Sequence, residues 1–194
     1  MKSTLAALAL ALPLASQAAV ETFPIDTFHS YPNFSVEHFG LSQLHGRFDK
    51  MTGTFTLDRA AKTGAVELTI AAASVSTGDS VKGTRAQSRD DHLRAADFFN
   101  VAEFPNLSFK STKVNFTGDL PSSVEGNFTM LGVTKPVSLT FERFKCGQNP
   151  FNKKDRCGGN AVGKIKRSDF GMKFGVGPMG DEITLNISFE GDKE

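Results

Sequence analysis

Acidic, basic and imidazole side chains crowd into residues 88–99 of the chain, SRDDHLRAADFF. Asp90, Asp91 and His92 stand next to one another, and Arg94 follows two positions later. Carboxylates beside a histidine are the groups that general acid–base catalysis uses, and they also bind divalent metals. The segment therefore has the composition of an active site, of a metal site, or of a charged element that only holds its neighbours in place.

The same residues predict a short α-helix. Ser88 precedes Asp91 by three positions, as in a capping box, and two acidic residues in the first turn suit the positive end of a helix dipole. Asp90 and Arg94 are spaced as an i, i+4 ion pair on the exposed side. The side expected to pack on the protein carries Leu93, Ala96 and Phe99, with Arg89 and His92 at its margin.

Other patterns for catalysis or metal binding are weak. The four histidines, His29, His38, His45 and His92, show no H-x-H or H-x-x-x-H spacing, although folding can bring distant ligands together. The chain has no G-x-S-x-G motif, so no serine nucleophile is indicated. The glycine-rich residues 171–177 lack the following helix that a phosphate loop needs, and they predict a bulged strand. We therefore expect no catalytic residue, metal or cofactor.

The first 18 residues, MKSTLAALALALPLASQA, predict a secretory signal peptide. Their apolar run is shorter than the roughly 20 residues that a membrane-spanning helix needs, and no other long apolar run follows. The mature chain would then be a single domain, residues 19–194, in the periplasm or secreted, without an integral membrane span. Loss of Lys2 from the 22 basic residues leaves 21, which equals the 21 acidic ones and argues against nucleic-acid binding.

Two cysteines, Cys146 and Cys157, are the only ones in the sequence. An even number in an exported chain predicts a disulfide bond. The residues between them include Asn149, Pro150 and a charged run, which predict a solvated turn. The chain has no C-x-x-C motif, so redox chemistry is the weaker alternative.

Apolar and polar residues alternate with period 2 through most of the remaining chain, which predicts strands with one buried face. Short links between these strands imply antiparallel pairing, and so many strands with so little helix predict a sandwich or a barrel. The 18 phenylalanines, against one tyrosine and no tryptophan, supply an apolar core or the lining of an apolar cavity. The alternating apolar positions include Phe34-Val36-His38, Phe55-Leu57, Val66-Leu68-Ile70, Leu107-Phe109, Val124-Gly126-Phe128-Met130, Val137-Leu139-Phe141 and Ile183-Leu185-Ile187-Phe189.

Five motifs in order resemble the YceI-like family of bacterial periplasmic polyisoprenoid-binding proteins. They are FPIDTFHSYPNFSVEHFG, RDDHLRAADFFNVAEFPNLSFKST, GNFTMLGVTKPVSL, IKRSDFGM and MGDEITLNISFE, and they span the chain from about Glu21 to its end. Leu131 departs from the pattern, because the family usually has histidine there. The hairpin that carries the two cysteines is also not general to the family.

The resemblance implies an all-β fold, an eight-stranded antiparallel lipocalin-like β-barrel with the short helix packed on it. It also implies a binding protein rather than an enzyme, with a long isoprenoid chain in the barrel interior. An isoprenoid quinone such as ubiquinone, or another polyprenyl lipid, is the expected ligand, held for storage, transport or sensing. A second copy of the chain is a further candidate partner.

We predict that the ligand lies against inward-facing side chains of the strands and the helix. Two rival functions remain open at this point: a surface interaction module in which the barrel is only a scaffold, and an enzyme acting on isoprenoid or fatty chains. The predicted lining residues are Phe34, Val36, His38, Phe55, Leu68, Ile70, Leu93, Phe99, Phe109, Phe128, Met130, Leu139 and Phe141.

Overall fold

Residues 20–194 are described by a computed structural model of the protein. The predicted signal peptide lies outside these residues. Within them the chain forms eleven strands, one α-helix (α1, Arg89–Arg94) and two 3₁₀-helices, Ala72–Ser74 and Arg167–Phe170. The strands are β1 Glu21–Pro24, β2 Tyr31–His38, β3 Ser42–Phe48, β4 Met51–Asp58, β5 Thr63–Ala71, β6 Val75–Ser76, β7 Asn106–Thr117, β8 Leu120–Met130, β9 Val133–Gln148, β10 Asp155–Lys166 and β11 Met179–Asp192.

The eleven strands form one antiparallel sheet in the order β1-β4-β5-β7-β8-β9-β10-β11-β2-β3-β6. β4 lies near one end of this order and β3 near the other, yet only Asp49 and Lys50 separate them in the chain. The sheet therefore curls until β3 runs into β4 through this two-residue bend. The bend is held by backbone hydrogen bonds, from the Asp49 N–H to the Ser74 carbonyl and from the Ala71 N–H to the Lys50 carbonyl, both 3.0 Å.

The predicted class, an antiparallel all-β fold with one helix, is confirmed, but the described residues contain eleven strands rather than the eight expected. β1 and β6 are four and two residues long, which is too short for a readable alternation. β3 and β4 follow each other almost directly in the chain, and the bend at Asp49 and Lys50 divides this extended segment into two strands. Without the two short strands, and with β3 and β4 taken together, eight strands remain.

Alternation along the strands places apolar side chains inside the curled sheet. In β8, Val124, Phe128 and Met130 are all buried, whereas Asn127 between them is exposed. Full burial of one such apolar side chain contributes about 1.5–3 kcal/mol to folding. The sheet interior is therefore the hydrophobic core, and any apolar site inside it is built from these same side chains.

Helix α1 begins as predicted and ends earlier than predicted. The Ser88 hydroxyl accepts a hydrogen bond from the Asp91 N–H at 3.1 Å, which confirms Ser88 as the N-cap. The Asp91 carboxylate accepts from the Ser88 hydroxyl at 2.6 Å instead of from the Ser88 N–H that a capping box uses. Ala95 ends the helix. Because the following residues leave the helical spacing, Ala96 is exposed instead of packed, and Phe98 is buried beside Phe99, although continued helical spacing would place it on the outer side.

The predicted ion pair between Asp90 and Arg94 is wrong. Asp90 is only 2% exposed, and its carboxylate accepts hydrogen bonds from the Thr77 N–H at 2.8 Å and the Thr77 hydroxyl at 2.6 Å. Arg94 instead pairs with Asp91 at 3.2 Å and donates to the Ala73 carbonyl at 2.9 Å. Asp90 therefore anchors α1 to the segment that follows β6, a role that helical periodicity does not reveal.

A disulfide bond joins Cys146 to Cys157, as predicted. The two residues face each other across β9 and β10. Such a bond is typical of proteins outside the cytoplasm. No helix among residues 20–194 is long and apolar enough to cross a membrane.

Candidate functional site

Three apolar cavities lie inside the curled sheet. The large cavity has a volume of about 310 Å³ and is bounded by α1 and by β2, β3 and β11. The middle cavity, about 70 Å³, lies among β2, β5, β7 and β8, and the far cavity, about 50 Å³, lies among β4, β5, β9 and β10. The large cavity has a volume at the lower end of the range for small-molecule sites, about 300–1,000 Å³.

Neighbouring cavities share walls. Phe34, Phe48 and Phe128 border both the large and the middle cavity. Leu68 and Phe109 border both the middle and the far cavity. The three cavities thus form one interrupted channel, in which neighbouring spaces are separated by the side chains that they share.

Twelve of the thirteen predicted lining residues border at least one cavity. Met130 is the exception, since it is buried but borders none of the three. The large cavity has Phe34, Val36, His38, Leu93, Phe99 and Phe128 in its wall, whereas the middle and far cavities have Phe55, Leu68, Ile70, Phe109, Leu139 and Phe141. The sequence pattern therefore selects the interior of the sheet, although ligand contact itself stays a prediction.

Several wall residues were missed. Ile183 and Leu185 belong to an alternating run that was recognised in β11 but not assigned to the site. Phe48 is the last residue of β3 and borders the large cavity. The alternate positions before it hold Leu44 and Gly46, and because glycine has no side chain, the alternation of apolar and polar residues is interrupted there. Phe174 lies in a glycine-rich segment without periodicity, and no sequence signal points to it.

Exposed or half-buried polar side chains border one part of the large cavity, which marks this part as its opening to solvent. His38, His45, Arg89 and His92 lie in this wall, beside Phe174, which is 48% exposed. We call these five residues the mouth. An apolar interior with a polar mouth suits a ligand that has a long hydrocarbon part and one polar end.

Two mouth residues that the sequence left without a role are held by carboxylates. His92 donates from Nε2 to the Asp97 carboxylate at 2.6 Å, and its ring meets those of Phe98 and Phe174 edge to face, with centroids 4.9 and 5.3 Å away. Arg89 lies 3.4 Å from the Asp79 carboxylate. Both side chains therefore fix the segment around α1 and also face the cavity.

A buried cation supports the loop that carries Phe174. Arg167 is 4% exposed, and its guanidinium donates to the backbone carbonyls of Gly180 at 2.9 Å and Phe174 at 2.7 Å. Burial lowers the pKa of Arg167 from its ordinary value, and the nearby Asp181 opposes this shift. Arg167 thus shapes the chain that carries Phe174, and one side of it faces the large cavity.

Hydroxyl groups are scarce around the large cavity. Of the residues described, only Thr77 brings a side-chain hydroxyl to its wall, and that group donates to Asp90. A hydroxyl nucleophile needs an adjacent base to activate it. The Asp90 carboxylate accepts from both the hydroxyl and the N–H of Thr77, so this pair forms part of the anchor of α1.

The opposite end of the sheet is polar. A groove of about 530 Å³, larger than the apolar cavities, lies there beside the disulfide and is lined by charged and amide side chains. Asp26, His29 and Glu190 come close enough together to hold a metal ion. Arg156, however, already donates to Asp26 at 2.9 Å and to Glu190 at 2.7 Å, so ion pairing explains this cluster.

A model of the YceI-like domain matches residues 23–191. The chain belongs to the YceI-like family. It is 38% identical to a UPF0312 protein of Pseudomonas aeruginosa (strain LESB58) over the whole of both chains. A solved YceI protein from Campylobacter jejuni is 28% identical, has a TM-score of 0.67, and matches over 81% of this chain and 90% of its own.

A solved polyisoprenoid binding domain from Saccharophagus degradans, implicated in plant cell wall breakdown, shares the fold. It is 16% identical, with a TM-score of 0.63, over 91% of this chain and 99% of that domain. In this YceI-like chain the departure at Leu131 lies in the turn between β8 and β9, where φ is +51°. Leu131 borders none of the three cavities, so it leaves their walls unchanged.

Proposed function

We propose that this YceI-like protein binds a long isoprenoid lipid in its apolar interior, with an isoprenoid quinone such as ubiquinone as the ligand. The observation that supports this most is the interrupted channel, three apolar cavities in a row that begin at a polar mouth. The polyisoprenoid binding domain of Saccharophagus degradans, with the same fold, supports the same class of ligand.

In this proposal the polar end of the lipid lies at the mouth and the isoprenoid chain extends towards the far cavity. His38, His45 and His92 offer ring nitrogens to a quinone oxygen, and Arg89 offers guanidinium donors. The chain then lies against the predicted lining side chains. At about 25 cal/mol per Å², burying about 500 Å² of hydrocarbon contributes roughly 12 kcal/mol before the costs of binding.

The aromatic side chains between the cavities have to move for a long chain to enter. Phe34, Phe48 and Phe128 narrow the passage from the large to the middle cavity, and Phe109 narrows the next. Apolar cavities of this kind stay dry and accept apolar guests. Rotation of these rings would therefore exchange contacts among phenylalanines for contacts with the lipid, without exposing apolar surface to water.

The proposed location is the periplasm, and the proposed role is to hold the lipid for storage, transport or sensing. The predicted signal peptide and the disulfide between Cys146 and Cys157 support export. Binding without turnover is supported by the wall of the large cavity, in which phenylalanine and aliphatic side chains predominate.

Organic extraction of the purified mature protein, followed by mass spectrometry, tests this function. We expect an isoprenoid lipid at about one molecule per chain. A protein that yields no isoprenoid lipid, and takes up none when incubated with ubiquinone, contradicts the proposal and favours the scaffold alternative. Conversion of an added isoprenoid to a new product would favour the enzyme alternative.

A further inference from the structure

Five exposed apolar side chains lie in loops that carry or contact mouth residues. Their exposed fractions are 55% for Phe39, 85% for Leu41, 73% for Val81, 48% for Phe174 and 39% for Val176. We call this set the rim. Large apolar side chains grouped on a surface mark sites that contact another apolar surface.

The rim is continuous with the mouth through specific contacts. The Phe39 N–H donates to the Pro178 carbonyl at 2.8 Å, which joins the β2–β3 turn to the segment that carries Phe174 and Val176. The Phe39 ring also lies 4.0 Å, centroid to centroid, from that of His38 in the mouth. Two separate loops therefore present their apolar tips beside the same opening.

The backbone of the β2–β3 turn is unfavourable for the residue it holds. Phe39 has a φ of +57°, in the left-handed region, which is unfavourable for a residue with a side chain. The side chain remains more than half exposed, so burial within the protein does little to offset this cost. An aromatic side chain kept in such a position suggests a role outside the fold.

Basic side chains flank the rim. Lys82 follows Val81 directly and Lys173 precedes Phe174, both are exposed, and neither forms a salt bridge within residues 20–194. Apolar side chains with adjacent lysines match a lipid bilayer surface, in which acyl chains lie beneath anionic headgroups.

We propose that the rim docks the protein on an anionic lipid bilayer with the mouth against the membrane. Phe39, Leu41 and Val176 would enter the interface between headgroups and acyl chains, and Lys82 and Lys173 would lie near the phosphates. This inference rests on the proposed function, in which the cavity holds a lipid. With the mouth against the membrane, that lipid passes directly from the bilayer into the cavity and never crosses water. The docking surface, however, can be measured independently of the cargo.

Flotation of the mature protein with vesicles tests the docking. The vesicles contain phosphatidylcholine and phosphatidylglycerol, with pure phosphatidylcholine vesicles as the neutral comparison. We expect the wild-type protein to float with the anionic vesicles and the double variant Leu41→Ser/Val176→Ser to bind at least about tenfold more weakly. Neither residue borders a cavity, so the interior stays unchanged.

The matched control is Phe151→Ser. Phe151 is 94% exposed and lies in the β9–β10 hairpin at the opposite end of the sheet, which also has adjacent lysines. We expect this variant to float like the wild type. If Phe151→Ser loses binding and the double variant keeps it, the docking end is the hairpin and the proposal is wrong.

The charge part of the proposal has its own test. Lys82→Glu/Lys173→Glu should weaken binding to anionic vesicles and leave binding to neutral vesicles unchanged. Equal binding of this variant and the wild type to anionic vesicles overturns the assignment to an anionic surface.

Extraction of the same preparations separates the two proposals. A wild-type protein that contains an isoprenoid lipid but never floats overturns the docking and leaves the proposed function intact. A protein that floats through the rim but yields no isoprenoid lipid, and takes up none when incubated with ubiquinone, supports the docking and overturns the proposed function.

Discussion

The Phe34 ring lies directly over Gly46 on the neighbouring strand. The two residues are paired across β2 and β3, and a Cβ atom at position 46 would overlap the ring. A glycine at this point is what allows the aromatic ring to lie flat on the sheet. Because Phe34 also borders the large and middle cavities, the shape of the channel depends on this pair.

Gly46→Ala should push the Phe34 ring away from β3 and into the channel. We expect a loss of about 1–3 kcal/mol in the free energy of unfolding, as for other overpacked cores, together with a lower lipid content. Gly147→Ala is the matched control, since a Cβ there meets nothing within 4 Å. Urea unfolding and lipid extraction of both variants check this. Equal behaviour of the two alanine variants would show that the Phe34 ring has room to move.

Asp90→Ala should destabilise the protein by about 1–3 kcal/mol, because it leaves the half-buried Thr77 N–H and hydroxyl without their acceptor. Asp90→Asn keeps an acceptor oxygen and should cost less. Asp119→Ala, at a side chain that is 91% exposed, is the control and should change stability by less than about 0.5 kcal/mol. Equal midpoints in urea for Asp90→Ala and Asp119→Ala would contradict the role of Asp90 as an anchor.

Asp192 should make stability depend on pH in the acid range. Hydrogen bonding from Arg156 lowers the pKa of Asp192 from 3.8 to about 2 in the folded protein. A carboxylate with a depressed folded pKa stabilises the protein above its unfolded pKa, and this contribution is lost as the pH falls from about 4 through about 2. Asp192→Asn should therefore be less stable at pH 7 and lose less stability on acidification.

Thermal unfolding of Asp192→Asn between pH 2 and 7, with Asp119→Asn beside it, measures this effect. The Asp119 side chain is exposed, so its variant should follow the wild-type curve. Parallel curves for Asp192→Asn and the wild type would mean that the ion pair with Arg156 adds nothing to folding.

Removal of the disulfide should lower stability but leave ligand binding intact. The Cys146→Ser/Cys157→Ser variant loses a cross-link around a short loop, which costs about 3 kcal/mol in the chain-entropy model. Neither cysteine borders the three apolar cavities. Lipid content should therefore equal that of the wild type at temperatures where the variant is folded. A folded variant without lipid would contradict this separation.

Sequence patterning predicts the interior better than the edges of the site. Alternating residues such as Phe109 and Leu139 border cavities, because period 2 fixes which face of a strand is buried. Phe174 and Arg167 were missed, because both lie outside regular strands and reach the cavity through the path of a loop. Asp90 was assigned to the exposed side of α1, although it is buried. Helical spacing predicts which residues lie on the same side of a helix, but it does not predict which side packs against the rest of the protein.

Phe128 offers the most direct test of lipid binding in the channel. It is 9% exposed and separates the large from the middle cavity, so Phe128→Trp places a larger ring in that passage. The substitution should cost about 1–3 kcal/mol and leave the fold in place, which circular dichroism checks. Phe151→Trp, at the exposed hairpin, is the control.

The decisive measurement is the number of lipid molecules per chain, by native mass spectrometry, in the wild type, Phe128→Trp and Phe151→Trp. We predict about one isoprenoid lipid per chain in the wild type and in Phe151→Trp, and a clear loss in folded Phe128→Trp. A wild-type protein without lipid, or equal occupancy in all three, would contradict binding in the channel.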